Sequence, residues 1–98
     1  VCCGEMGRTP KINGNGGRDH WGKLGPLMIY GGGLRMGQVI GESSADGGEP
    51  KSAPITIDHL NATIMHTLLD PGQVRLRDDL PNTVKDWVTA HSPIRELV

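Results

Sequence analysis

No phenylalanine occurs anywhere in this sequence, and its aromatic content is two tryptophans and one tyrosine. The large rings that usually dominate a buried core are therefore scarce. Apolar residues make up 36% of the chain, while fifteen glycines and seven prolines add turns without adding buried area. A chain of this length buries only roughly 60–65% of its unfolded surface even when well packed. An initiator methionine and a signal peptide are also missing, and Val1-Cys2-Cys3 opens the chain as an apolar run. That run reads as the end of a buried strand. The expectation is a C-terminal fragment, residues 1–98 of a single larger domain, packing on the upstream part of the same polypeptide.

Charge of one sign is missing as well. Ten basic and eleven acidic side chains leave a net charge of −1. Without a basic stripe, no nucleic-acid partner is expected. No apolar run is long enough to span a bilayer. Two adjacent cysteines make no disulfide framework, and in a strand Cys2 and Cys3 point to opposite faces. They are expected to be inert buried thiols.

The patterns that are present place elements along the chain. Gly4 to Arg18 reads as a long glycine-punctuated loop, a length usual for functional or disordered segments. Leu27-Met28-Ile29-Tyr30, closed by Gly31-Gly32-Gly33, predicts a short buried strand, and Arg35 to Ile40 a second, more exposed one. Residues 42–53 are polar surface loop. Leu60, Ile64, Met65, Leu68 and Leu69 recur at helical spacing from Ile57 to Asp70, with Thr56 as N-cap and Asp58 in the first turn. Pro71-Gly72 is expected to stop this helix. Val74, Leu76 and Leu80 suggest an extended piece, and Thr83 to Ala90 a helical turn around Trp87.

Two clusters could carry chemistry. Glu5 and Arg8 leave the end of the first strand, where open α/β sheets bind their ligands. A carboxylate there can ligate a cation, and a guanidinium can grip a phosphate or sulfate with two hydrogen bonds. The competing reading is a surface Glu-Arg pair that orders the loop. Asp19-His20-Trp21 follows. His20 is a candidate metal ligand with Asp19 as second ligand or orienter; alternatively it is a hydrogen-bonded loop histidine, with Trp21 anchoring the loop. The glycines at 14, 16 and 17 match neither a Walker A loop nor a dinucleotide fingerprint. His59 and His66 are too far apart along a helix to share an ion, so they read as structural. His91 has no recognisable partner, and Asp78 and Asp79 read as solvated charges.

The ordered set Gly4-Glu5-Met6-Gly7-Arg8-Thr9-Pro10, Gly17-Arg18-Asp19-His20-Trp21, Gly31-Gly32-Gly33 and Gly37-Gln38-Val39-Ile40-Gly41 resembles the C-terminal portion of the domain of unknown function 1501 family, abundant in planctomycetes. Thr56-Ile57-Asp58-His59-Leu60 and Pro93-Ile94-Arg95-Glu96-Leu97 resemble its next helix and its ending. That family is considered similar to sulfatases and alkaline phosphatases. The resemblance implies an α/β fold, the C-terminal part of an alkaline-phosphatase-like three-layer sandwich with a mostly parallel sheet. It also implies a divalent metal site, with zinc, calcium and magnesium not distinguished. His20, Asp19 and Glu5 would be its ligands, and Arg8 would bind an anionic ester. The implied function is part of a metal-assisted hydrolase of sulfate or phosphate esters. The alternative is a non-catalytic protein that binds sulfated or phosphorylated glycans on the same fold. Position 6 is Met where those enzymes carry His, and no nucleophile motif occurs, so no catalytic residue is assigned within these 98. Export signals are common in the family, so the resemblance is compatible with an extracytoplasmic address, while these residues themselves assign none.

Overall fold

A computed structural model describes residues 1–98. The chain forms two compact units, one made of Val1–Tyr30 with Val39–Pro54 and the other of Gly31–Gln38 with Ile55–Val98.

The first unit contains four two-residue strands: β1 (Cys2–Cys3), β2 (Gly7–Arg8), β3 (His20–Trp21) and β4 (Leu27–Met28). They make two separate two-stranded sheets, β1 with β4 and β2 with β3, both antiparallel. The parallel ladder implied by the resemblance is not formed among these residues. Cys2 and Cys3 are free and exposed, not buried, because β1 has a single partner and nothing covers either face of the pair. Leu27 and Met28 are exposed for the same reason, and Tyr30 is 88% exposed, so the expected buried strand is a surface one. Gly4 to Arg18 is not all loop: β2 interrupts it. The stretch from Arg35 to Ile40 forms no strand.

Polar contacts hold this unit together. A turn at 44–49 is built on Ser44, whose hydroxyl accepts from the amides of Gly48 and Glu49 and donates to Asp46 Oδ1 at 2.6 Å. Ser43 bridges Pro50 across it. The Ser44 hydroxyl, and then the Gly48 amide, hold the Asp46 carboxyl below its ordinary 3.8.

The second unit is helical. Helix α1 spans Ile57–Leu68, with Thr56 at its N-cap. His59 takes the place usually filled by Glu or Gln in a capping box, its Nδ1 accepting from the Thr56 amide at 3.1 Å. Leu69 ends the helix in extended conformation. Pro71 then opens α2 (Pro71–Leu76) instead of only stopping α1. Proline suits the first helical position, where its missing N–H has no partner to lose, and the Asp70 side chain accepts from the amides of Gly72 and Gln73. This cap overrides the extended reading of Val74 and Leu76. Helix α3 (Asn82–Thr89) follows, with Trp87 59% exposed. Arg77 pairs through its guanidinium with Asp79, which stays exposed as expected; the pairing lowers the Asp79 pKa and raises that of Arg77.

Leu60, Ala62, Val74, Val88, Ile94 and Leu97 form the small core of this unit. Leu68 and Leu69 of the predicted stripe lie exposed. At the centre is Thr63, 1% exposed, whose hydroxyl donates to the His59 carbonyl at 2.7 Å and accepts from the Ile94 amide at 2.8 Å. The C-terminal turn that this bond fixes also receives the 31–38 segment: the Arg35 amide donates to the Leu97 carbonyl, and Gln38 Nε2 to the carbonyls of Arg35 and Glu96. Gly32 has φ +71°, and a side chain there would meet Thr67 Cγ2 at 2.6 Å.

Replacing Thr63 with Val keeps the shape but strands the buried Ile94 N–H. The expected cost is about 1–3 kcal/mol in urea unfolding, with Thr63→Ser close to the parent. A Thr63→Val protein as stable as the parent would refute this role.

Candidate functional site

The two sequence clusters meet through the β2–β3 ladder. Gly7 pairs with Trp21 and Arg8 with His20. Successive strand residues face opposite sides, so Gly7 and Trp21 share one face and Arg8 and His20 the other. Directly opposed residues place their Cβ atoms about 4.5–5.5 Å apart. Arg8 and His20 are thus brought side by side on an exposed face, although the eleven residues from Thr9 to Asp19 separate them in sequence.

Gly7 makes this close pairing possible. A Cβ at that position would lie 1.6 Å from the Leu24 carbonyl oxygen and 3.0 Å from that of Trp21. The backbone after β3 turns back over Gly7, leaving no room for a side chain. On the same face Trp21 is half-buried and donates from Nε1 to the Gly48 carbonyl at 2.6 Å. Lys23 sits 5.4 Å from the centre of the Trp21 ring and pairs with Glu49. Trp21 is therefore the anchor expected of it.

The intervening loop is closed by two residues not singled out from sequence. The Thr9 amide donates to the Asp19 carbonyl at 2.9 Å, and the Asp19 amide donates back to Thr9 Oγ1 at 3.1 Å. Asn13 Oδ1 accepts from the amides of Asn15 and Gly17, while its Nδ2 donates to Asp19 Oδ1 at 2.9 Å. The signal was legible in kind: Asn ahead of Gly-Asn-Gly-Gly is a common start for a side-chain-closed turn.

The predicted ligand set does not assemble. Asp19 is engaged as a loop tie. No group of three His, Cys, Asp or Glu side chains is placed to hold a metal ion, so Glu5, Asp19 and His20 do not by themselves fit one. Glu5 forms no ion pair with Arg8, which excludes the simple Glu-Arg tie. The Arg8 guanidinium instead makes one long contact, 3.4 Å, from Nη1 to the Arg18 carbonyl. Of its five N–H donors, the remainder face solvent beside the exposed imidazole of His20. In the other unit, His91 lies 4.0 Å from Asp58, a partner not evident from sequence.

A family model described as a protein of unknown function, DUF1501, matches residues 1–81. The chain belongs to the DUF1501 family. No curated protein and no solved structure matches it. The DUF1501 match spans both halves of the Arg8–His20 pair and the whole loop between them, and it extends through α1 and α2. No helix of this DUF1501 chain is long and apolar enough to cross a membrane.

Gly7→Ala is expected to force the Leu24 carbonyl away and to cost about 2–3 kcal/mol, as overpacking does. The Thr9 amide, hydrogen-bonded across the neck of the loop, should lose its protection from hydrogen exchange. Unchanged protection at Thr9 would show that the close approach over Gly7 does not hold the ladder.

Proposed function

We propose that this protein recognises sulfate or phosphate esters and that this segment holds the anionic group through Arg8 and His20. The observation that carries the reading is their direct opposition across β2 and β3 on an open face. A guanidinium offers a planar fork of donors that matches tetrahedral oxyanions, and an adjacent imidazole N–H adds a third donor from a different direction. Both side chains keep donors free for a ligand: Arg8 makes one long internal contact and His20 makes none.

Binding without cleavage is the form of this function that the geometry favours. Asp19 is tied to Asn13, Met6 offers no imidazole, and no three-ligand group is present. A small anionic ester or a sulfated glycan is the proposed partner class. The second reading is a metal-assisted ester hydrolase on an alkaline-phosphatase-like sandwich. The free imidazole of His20 and the unpaired carboxylate of Glu5 favour it. In that reading the attacking group and the remaining ligands of a divalent metal come from outside these 98 residues.

Arg8→Gln in the natural polypeptide is expected to weaken binding of a sulfated oligosaccharide by about 10- to 100-fold, the usual worth of a charge-assisted contact. Binding should persist in chelator with no turnover of aryl sulfate or aryl phosphate esters. Chelator-sensitive turnover abolished by His20→Ala would select the hydrolase instead. Undiminished binding by Arg8→Gln would remove the anion-site reading altogether.

A further inference from the structure

Three dipeptides in this chain are prone to cyclise: Asn13-Gly14, Asn15-Gly16 and Asp46-Gly47. In each, the amide nitrogen of an unhindered glycine follows a side chain whose carbonyl carbon is one ring closure away. The local structure treats the three differently.

Asn13 is half-buried, and its side chain is held at both ends. Oδ1 accepts two backbone amides at 3.0 Å each, and Nδ2 donates to Asp19. Its own amide donates to the Gly17 carbonyl at 2.7 Å. Swinging Cγ toward the Gly14 nitrogen requires all three side-chain bonds to break. Asp46 is held in the same manner by Ser44 and Gly48. Those contacts favour its ionised form, which is the poorer electrophile. Asn15 is exposed, and its side chain makes no hydrogen bond. Its backbone amide donates to Asn13 Oδ1 at 3.0 Å, and the attacking nitrogen, the Gly16 amide, is held by one bond, to the Asn13 carbonyl at 3.1 Å.

We propose that Asn15 is a deamidation site, converting to aspartate and isoaspartate through a cyclic imide with Gly16, while Asn13 and Asp46 are kept from reacting. Opening of the one turn bond frees the Gly16 nitrogen, which gives up its proton to base and attacks Asn15 Cγ. A Cγ–N bond forms, the Cγ–Nδ2 bond breaks, and Nδ2 leaves as ammonia. Water then adds to either imide carbonyl, so the net change is one water consumed and one ammonia released. Opening at Cγ gives aspartate; opening at the main-chain carbonyl gives isoaspartate and an extra backbone carbon in the loop. Either product places a new carboxylate in the loop whose ends are Arg8 and His20.

The test is incubation of the folded protein in mildly alkaline buffer, with a urea-unfolded sample in parallel, followed by peptide mapping. Lys11 and Arg18 bracket both asparagines in one tryptic peptide, and fragmentation of its backbone assigns the site and the linkage. Asn15 is expected to react at least about tenfold faster than Asn13 in the folded protein, because three bonds must open at one and a single bond at the other. In urea the two rates should converge. Equal rates at both positions in the folded protein, or protection of Asn15 as strong as that of Asn13, overturns the proposal.

Discussion

The carbonyl of Leu24 lies so close over the backbone of Gly7 that a methyl group there would come within 1.6 Å of its oxygen. This contact brings the chain after β3 back across β2 and keeps Trp21 directly opposite Gly7. Because side chains alternate along a strand, fixing Trp21 against Gly7 also fixes His20 against Arg8 on the other face. A one-residue slip would exchange the faces and put Arg8 where Trp21 now reaches Gly48. Position 7 is thus constrained by backbone approach, and Arg8 and His20 inherit their placement from it.

The two units are stabilised by different means. The Val1–Tyr30 and Val39–Pro54 unit buries no large apolar side chain; its only fully buried positions are Gly7 and Gly48. It depends on side-chain-to-backbone bonds from Thr9, Asn13, Trp21 and Ser44, each closing a turn or clasping two segments. Such bonds contribute modestly one at a time, about 0.5–1.5 kcal/mol each, but together they define where the chain runs. The helical unit relies on a small aliphatic core around Thr63, a polar residue tolerated at 1% exposure because both its donor and its acceptor are used.

Much of this was legible in the sequence. Periodicity and Thr56 located α1 within two residues, and the two motifs containing Arg8 and His20 marked the candidate site, although both were read as loop where β2 and β3 form. What was missed depended on contacts across the chain. Pro71 signals a stop or a start equally well, and only the Asp70 cap decides for a start. Cys2, Cys3 and Met28 look like core by composition, yet their exposure follows from strand count, which no local pattern reveals. Arg35 to Ile40 alternates like a strand but is held by Gln38 against Glu96, far along the chain. Asp19, read as a ligand or an orienting carboxylate, also accepts from Asn13 through Oδ1, a loop tie that its neighbour in sequence does not reveal.

The central claim is that Arg8 and His20 together form an oxyanion site. A titration of the isotope-labelled protein with inorganic sulfate, and separately with phosphate, followed by nuclear magnetic resonance, tests it most directly. Saturable shifts confined to the Arg8 guanidinium, the His20 ring and the amides around them are the predicted result. Shifts spread evenly over all exposed cations, or absent from Arg8 and His20, would contradict it.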